Sequence, residues 1–334
     1  MCSIASDLLA ALSPQDIARL RFAAMLAVLV GGLVSGYLAS SRFDLPEHLA
    51  KKIMTAVLVS FNWLIALFVI WQTQLTRQLI WLPIVGVCLM LTITAISIGL
   101  FHFLNLDRKS RLTLILAGGL SNIGYTGGAF VCYALFGMTG LALANIYLLF
   151  SLPTVYLIFL PLLKFHELRI KHASAKFKLG QVLDFRFLVL PAVIAALILN
   201  LTGVKSPGVI AKFRIIDIFV YIASGLSFFA IGLRVNLSLL KNYINLYFLL
   251  SVVKFILTPA VALLLIWLLA LTGQNLTGLV KKVIIVLAFA PSAVLMVTMS
   301  NVFDLDAPLA SALWVVTMAA FVAIVVPVLF FAFT

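Results

Sequence analysis

The chain is short of charge, and no acidic residue lies in the middle of an apolar run. Of its 334 residues 10% are charged and 64% hydrophobic, with a mean hydropathy of +1.24, whereas a soluble domain has about a quarter charged residues. This composition excludes a water-soluble enzyme, a nucleic-acid-binding module and a disordered protein. The three cysteines have no metal-ligand spacing, and no nucleophile-base group is visible, so we expect no metal, no cofactor and no enzymatic activity.

What the chain has in abundance is long apolar runs. A bilayer core about 30 Å thick needs about 20 apolar residues per helix. Ten runs approach or exceed that length, at 21–40, 53–72, 79–104, 112–136, 140–165, 188–203, 216–233, 246–271, 283–303 and 309–333. We number these predicted spans one to ten. They predict an all-α membrane protein with ten transmembrane helices, the first of which is retained rather than cleaved as a signal peptide.

The spans repeat along the chain. A shift of 167 residues, half the length, lays spans one to five on spans six to ten. Because five is an odd number, the second half must enter the membrane from the opposite side, as in the inverted repeats of many secondary transporters. The predicted organisation is an N-terminal segment 1–20, a first repeat 21–165, a linker 166–187 and a second repeat 188–334.

The basic residues indicate orientation rather than a nucleic-acid partner. Fourteen Lys and Arg lie on the side that includes the linker, against eight on the other, so we expect the linker in the cytoplasm and both termini outside the cell membrane. The linker is itself basic. Two interpretations are open for it, a solvated connection and a contact with anionic lipid.

Two spans carry helix-breaking residues at matching positions. Span four contains Gly118-Gly119-Leu120-Ser121-Asn122-Ile123-Gly124-Tyr125-Thr126-Gly127-Gly128, and the 167-residue shift lays Pro291-Ser292 of span nine on Gly124-Tyr125. Glycine weakens a helix and proline removes a backbone donor, so both helices are predicted to break near the membrane midplane and to cross there. The alternative is that the glycines only permit close packing and that Pro291 only kinks its helix.

Lys254 is the one ionisable side chain deep within a span. It either faces a functional site, supplying charge for a carboxylate or standing in place of a coupling cation, or snorkels to the cytoplasmic interface. No span carries a carboxylate of the kind on which sodium/proton antiporters and proton pumps rely.

These segments resemble the auxin efflux carrier family, which includes the plant PIN-type exporters and bacterial malonate and malate carriers. The resemblance covers nearly the whole chain in order. It is carried by Leu120–Gly128 with Phe136-Gly137, by Gly36-Tyr37, by Lys254–Pro259, and by Pro291–Val294 followed by Asp306, Ala310 and Ser311.

The resemblance implies ten helices in two inverted repeats. Spans one, two, six and seven would form a scaffold that dimerises, and the other six a transport domain that moves as an elevator. It puts the substrate at the crossing of spans four and nine, near Asn122 and Pro291. The short linker favours the bacterial organic-acid carriers over the plant exporters.

The sequence therefore predicts a secondary carrier for a small mono- or dicarboxylate, embedded in the lipid bilayer, with H+ or Na+ left open as coupling ion. The expected substrate-binding residues are Ser121, Asn122, Gly124, Tyr125, Thr126, Pro291, Ser292 and Lys254. The first alternative is a sodium-coupled symporter of the bile-acid type, for which Asn145 and Thr126 offer sodium ligands. The second is a membrane sensor or lipid-binding protein that retains a transporter fold.

Overall fold

The fold was analysed in a computed structural model, which describes residues 14–43, 49–73, 75–159, 163, 189–233 and 243–333. The linker 166–187 and residues 1–13 lie outside the described residues. Within them the chain is helical, and its one extended pairing is a single antiparallel bridge between Ser121 and Ser292.

The first half of the chain forms seven described α-helices. They are α1 (Pro14–Arg42), α2 (Leu49–Val57), α3 (Trp63–Trp71), α4 (Trp81–His102), α5 (Arg108–Gly119), α6 (Gly128–Leu148) and α7 (Ser151–Thr154). A π-helical turn, Leu58–Asn62, joins α2 to α3, and a second, Val155–Phe159, follows α7.

The second half forms nine more described α-helices. They are α8 (Val189–Leu201), α9 (Gly208–Lys212), α10 (Ile215–Gly232), α11 (Ile244–Val252), α12 (Thr258–Leu271), α13 (Gly278–Ala288), α14 (Val294–Val302), α15 (Ala307–Ala320) and α16 (Val326–Phe333). The π-helical turns Val253–Leu257 and Phe321–Val325 join α11 to α12 and α15 to α16.

Several helices are long and apolar enough to cross a membrane, as expected of a multi-pass membrane protein. In the described ranges there are seven: Arg19–Arg42, Lys52–Trp71, Gln78–His102, Gly128–Leu148, Ile215–Gly232, Ile244–Leu271 and Ala307–Phe333. The difference from the ten predicted spans has a physical origin. Span four is divided at residues 120–127, and its second half continues through the predicted loop at 137–139 into span five as the helix Gly128–Leu148, so the predicted boundary between these two spans is wrong. Span nine is divided into two short helices, and span six contributes only the short apolar helix Pro191–Leu201. The part of span five beyond residue 159 lies, apart from residue 163, outside the described residues.

Helices α1 and α10 cross in close contact through glycine. A Cβ built on Gly36 would collide with the backbone of Phe229 and Gly232, and one built on Gly232 would collide with the backbone of Leu33. Small residues of this kind let two helix backbones approach, which is a common way to hold helices together in lipid. The α1–α10 pair thus forms a closely packed unit within the fold.

This contact predicts a stability difference between two glycines of α1. We expect Gly36→Ala to lower the stability of the folded protein by about 1–3 kcal/mol, because the added methyl overpacks a backbone-to-backbone contact. Gly31→Ala is the matched control, since an added Cβ there meets nothing within 4 Å. Thermal unfolding of the purified protein in detergent measures both, and equal melting temperatures for the two variants would contradict the described crossing.

Candidate functional site

Span four is broken, as its glycines predicted. Helix α5 ends at Gly119, α6 begins at Gly128, and residues 120–127 between them are non-helical. Helix α6 bends again at Gly137, whose φ of 65° lies in the left-handed region that glycine tolerates. The polar residues of the predicted site in this span therefore lie in an irregular segment between two helix ends.

Span nine is broken at Pro291. Helix α13 ends at Ala288 and α14 begins at Val294, and the chain between them leaves the helix and is extended at Ala293. The two halves have 11 and 9 residues, so neither alone reaches the length of about 20 that a bilayer requires.

The two breaks lie against each other and pair through their backbones. The Asn122 N–H donates to the Pro291 carbonyl at 2.7 Å, and the Ala293 N–H donates to the Leu120 carbonyl at 3.0 Å. A broken helix leaves polar backbone groups without partners, at a cost of several kcal/mol each in hydrocarbon. Here each break supplies partners for the other. We call residues 120–127 and 289–293 together the crossover.

Asn122 folds its own segment into a turn. Its side-chain Nδ2 donates to the Thr126 carbonyl at 3.0 Å, and its Oδ1 accepts from the Thr126 hydroxyl at 2.8 Å. Its carbonyl also accepts from the Gly128 N–H at the start of α6. An amide has two N–H groups and two acceptor lone pairs, so Asn122 keeps capacity for one further contact of each kind.

Tyr125 is turned into the protein. Its hydroxyl donates to Asn145 Oδ1 at 2.8 Å, and Asn145 in turn donates to the Leu141 carbonyl of α6. Its backbone carbonyl accepts from the Ser224 hydroxyl of α10 at 3.2 Å. The tyrosine was predicted to bind substrate, which stays a prediction; in the structure its hydroxyl and its backbone carbonyl both have partners inside the protein. Ser224 was missed because it lies on an apolar helix with no sequence signal.

Ser292 also uses its polar groups internally. It is fully buried, and its hydroxyl donates to the Ala117 carbonyl near the end of α5 at 2.9 Å. Its N–H donates to the hydroxyl of Thr317 on α15 at 3.3 Å. Ser292 therefore ties span nine to span four and to α15. Thr317 is another residue that sequence reasoning missed.

Lys254 contacts the crossover from the π-helical turn between α11 and α12. Its side chain is fully buried, and its ammonium donates to the Leu120 carbonyl at 3.0 Å and to the Ser121 hydroxyl at 2.9 Å. Snorkelling, one of the two interpretations, is therefore wrong. Among the described residues no carboxylate forms an ion pair with this ammonium.

The backbone around Lys254 explains its direction. It lies in the π-helical turn Val253–Leu257. The Thr258 hydroxyl, which follows this turn, donates to the Val253 carbonyl at 2.7 Å. One extra residue in a helical turn rotates the side chains that follow, and such turns are frequent at functional sites. The turn thus aims a lysine at the end of α5.

Part of the crossover remains open. Ser121, Gly124 and Thr126 are partly exposed, and a Cβ built on Gly124 would meet nothing within 4 Å. The N–H groups of residues 124–126, and those of residues 294 and 295 in the first turn of α14, donate to no oxygen of the described residues. Backbone N–H groups and helix N-termini favour anions. In the described ranges no three His, Cys, Asp or Glu side chains gather as a metal site.

The hydrogen bond from the Tyr125 hydroxyl to Asn145 can be tested for its contribution to stability. We expect Tyr125→Phe to destabilise the protein by about 1–3 kcal/mol, because it leaves a buried amide oxygen without a donor. The readout is the melting temperature in detergent, with Tyr37→Phe on the exposed surface of α1 as the control. If Tyr125→Phe melts like the control, the Tyr125–Asn145 hydrogen bond is not a stabilising contact.

Comparison with known proteins adds no family to these observations. No protein-family model matches the chain, and no curated protein matches it. The functional interpretation therefore depends on the geometry of the crossover.

Proposed function

We propose that the protein is a secondary carrier that transports a small organic anion, a mono- or dicarboxylate, across a cell membrane. The observation that carries the proposal is the crossover: two broken helices pair by backbone, the N–H groups of residues 124–126, 294 and 295 donate to no oxygen of the described residues, and a Cβ on Gly124 would meet open space. In secondary transporters, discontinuous helices of this kind hold anionic substrates with half-helix N-termini.

The carboxylate would lie beside Asn122, whose amide retains one free N–H. Gly124 provides room for it, and Thr126 and Asn122 hold the turn that presents the backbone donors. Ser121 orients the Lys254 ammonium toward the same segment, while Pro291 supplies the carbonyl that fixes the second break. Tyr125 and Ser292 hold the two segments in place.

Three local features support an inverted repeat of ten helices, as in the auxin efflux carrier family that the sequence resembles. The two breaks overlap under the 167-residue shift. Under the same shift Gly137 and Asp304, which both have positive φ, coincide. The π-helical turns Val155–Phe159 and Phe321–Val325 begin 166 residues apart. These three backbone irregularities support the repeat independently of the match in hydropathy between the two halves.

The first test is flux. We expect purified protein in liposomes to take up or exchange at least one carboxylate from a panel of mono- and dicarboxylates, measured with radiolabelled substrate and with imposed sodium and proton gradients. Empty liposomes give the background. A folded protein that moves no organic anion under any gradient or counter-substrate would exclude the carrier.

A second test concerns the site. Asn122→Ala removes the amide that folds the turn, so we expect transport efficiency, kcat/KM, to fall about tenfold or more, the loss expected for one hydrogen bond to a charged group. Asn105→Ala, on an exposed residue outside the crossover, is the matched control. Equal efficiencies for the two variants would move the substrate away from the crossover.

A third test concerns the elevator movement. The rings of Phe130 on α6 and Tyr221 on α10 lie 6.0 Å apart, across the proposed boundary between transport domain and scaffold. In a background without native cysteines, we expect a short bifunctional reagent that joins Phe130→Cys to Tyr221→Cys through a disulfide at each end to stop flux, and reduction of those disulfides to restore it.

The matched control for the cross-link lies within the proposed scaffold. The rings of Phe61 and Phe219 are 5.4 Å apart, so a cysteine pair there spans a similar distance without crossing the boundary. Flux should survive this second cross-link. Full flux with the Phe130–Tyr221 pair cross-linked would rule out movement of α6 against α10.

A further inference from the structure

The Lys254 ammonium lies against two neutral oxygens, those of the Leu120 carbonyl and the Ser121 hydroxyl, which we call the cation seat. The two atoms that accept from its ammonium are the Leu120 carbonyl oxygen and the Ser121 hydroxyl oxygen. Backbone carbonyls at unwound helix ends are also the ligands with which secondary transporters hold a coupling cation such as Na+. The seat is therefore chemically suited to a monovalent cation as well as to an ammonium group.

The negative electrostatic potential at the cation seat comes from dipoles of the backbone rather than from a carboxylate. Helix α5 ends at Gly119, one residue before the Leu120 carbonyl, so the negative end of its macrodipole faces the ammonium. Among the described residues no carboxylate pairs with Lys254. A lysine kept for a salt bridge would have an acidic partner, whereas a lysine in a cation seat needs only oxygens.

The ammonium also excludes a second cation. Its two hydrogen bonds, 2.9 and 3.0 Å long, use the Ser121 hydroxyl and Leu120 carbonyl that a free ion would need. A second positive charge a few ångströms away in a buried site is strongly repelled. Because Lys254 is fully buried, it holds the seat without exchange with solvent cations.

We propose that Lys254 is a tethered replacement for a coupling cation, so that the crossover keeps its shape and its charge without binding Na+. The inference rests on the proposed carrier function and adds its ion dependence: organic-anion transport by the native protein needs no sodium. Removing the ammonium while leaving its space vacant converts the seat into a site for a free monovalent cation.

The first experiment measures stability and needs no substrate. Native protein, Lys254→Ala and Lys254→Met are purified and melted in sodium chloride, lithium chloride or choline chloride of equal ionic strength. The alanine variant vacates the seat, whereas the methionine variant removes the charge but fills the space. Exposed Lys52→Ala controls for loss of a surface charge.

We expect the melting temperature of Lys254→Ala to be higher in sodium than in choline by about 3 °C or more, because a ligand that binds only the folded state stabilises it. The native protein, Lys254→Met and Lys52→Ala should melt at the same temperature in every salt. Equal responses of the alanine and methionine variants would overturn the proposal.

The second experiment measures flux of the carboxylate that the panel identifies, with sodium or choline present equally on both sides. Native flux should be the same in both salts. Flux through Lys254→Ala should be about tenfold higher in sodium than in choline, within the usual range of coupling between two ligands. Flux through Lys254→Met should be low in both.

Four further outcomes also decide the question. Lys254→Ala that folds in sodium but not in choline supports the proposal. If it folds in no salt while Lys254→Met folds, the space and not the charge matters, and the proposal is wrong. A native protein that requires sodium overturns it whatever the variants do. If no carboxylate moves through the native protein, the carrier function fails, while the stability experiment still decides whether the cation seat exists.

Discussion

The hydrogen bonds between Asn122 and Pro291 and between Ala293 and Leu120 are the constraint on which the site depends. In a membrane interior a helix that breaks must find partners for its freed backbone groups, because water is absent. Two breaks that meet can satisfy each other. With the two breaks in contact, the Ser292 hydroxyl donates to the Ala117 carbonyl, and the Lys254 ammonium donates to the Ser121 hydroxyl and, as a second donor beside the Ala293 N–H, to the Leu120 carbonyl.

The sequence predicted the breaks but not the directions of their side chains. The glycines within 118–128 and the proline at 291 have direct backbone consequences, so both breaks could be predicted, whereas the backbone hydrogen bonds between them could not. An irregular segment has no periodicity, and side-chain direction there follows from local φ and ψ. This is why the sequence did not predict the hydrogen bond from the Tyr125 hydroxyl to Asn145. Ser224 and Thr317 were missed for a different reason: each is a single hydroxyl residue on an apolar helix, without a sequence signal of its own.

Depth and direction are likewise separate questions for Lys254. Helical rise predicted that the lysine lies well inside span eight, which holds for the described helices α11 and α12. Whether it pointed inward could not be read from a regular helical wheel, because the π-helical turn Val253–Leu257 shifts the phase at that residue.

The number of membrane-length helices also differs from the prediction, since the lengths of the apolar runs predicted ten spans. Seven helices satisfy that criterion in the described ranges: the break in span nine gives two helices that are each too short, and the helix after the break in span four runs on into span five as the single helix Gly128–Leu148.

A tethered cation changes the energetics of the proposed transport cycle. In a carrier that binds one Na+ with one monocarboxylate, the loaded site is neutral and so is the empty one, and the sodium gradient drives the movement. With Lys254 in the cation seat, the site that carries a monocarboxylate is neutral, but the empty site returns with one positive charge. Each cycle then moves one net negative charge with the substrate, worth about 2.3 kcal/mol per 100 mV of membrane potential. A negative cell interior would therefore favour release of the anion from the cell, without any ion gradient coupled to it.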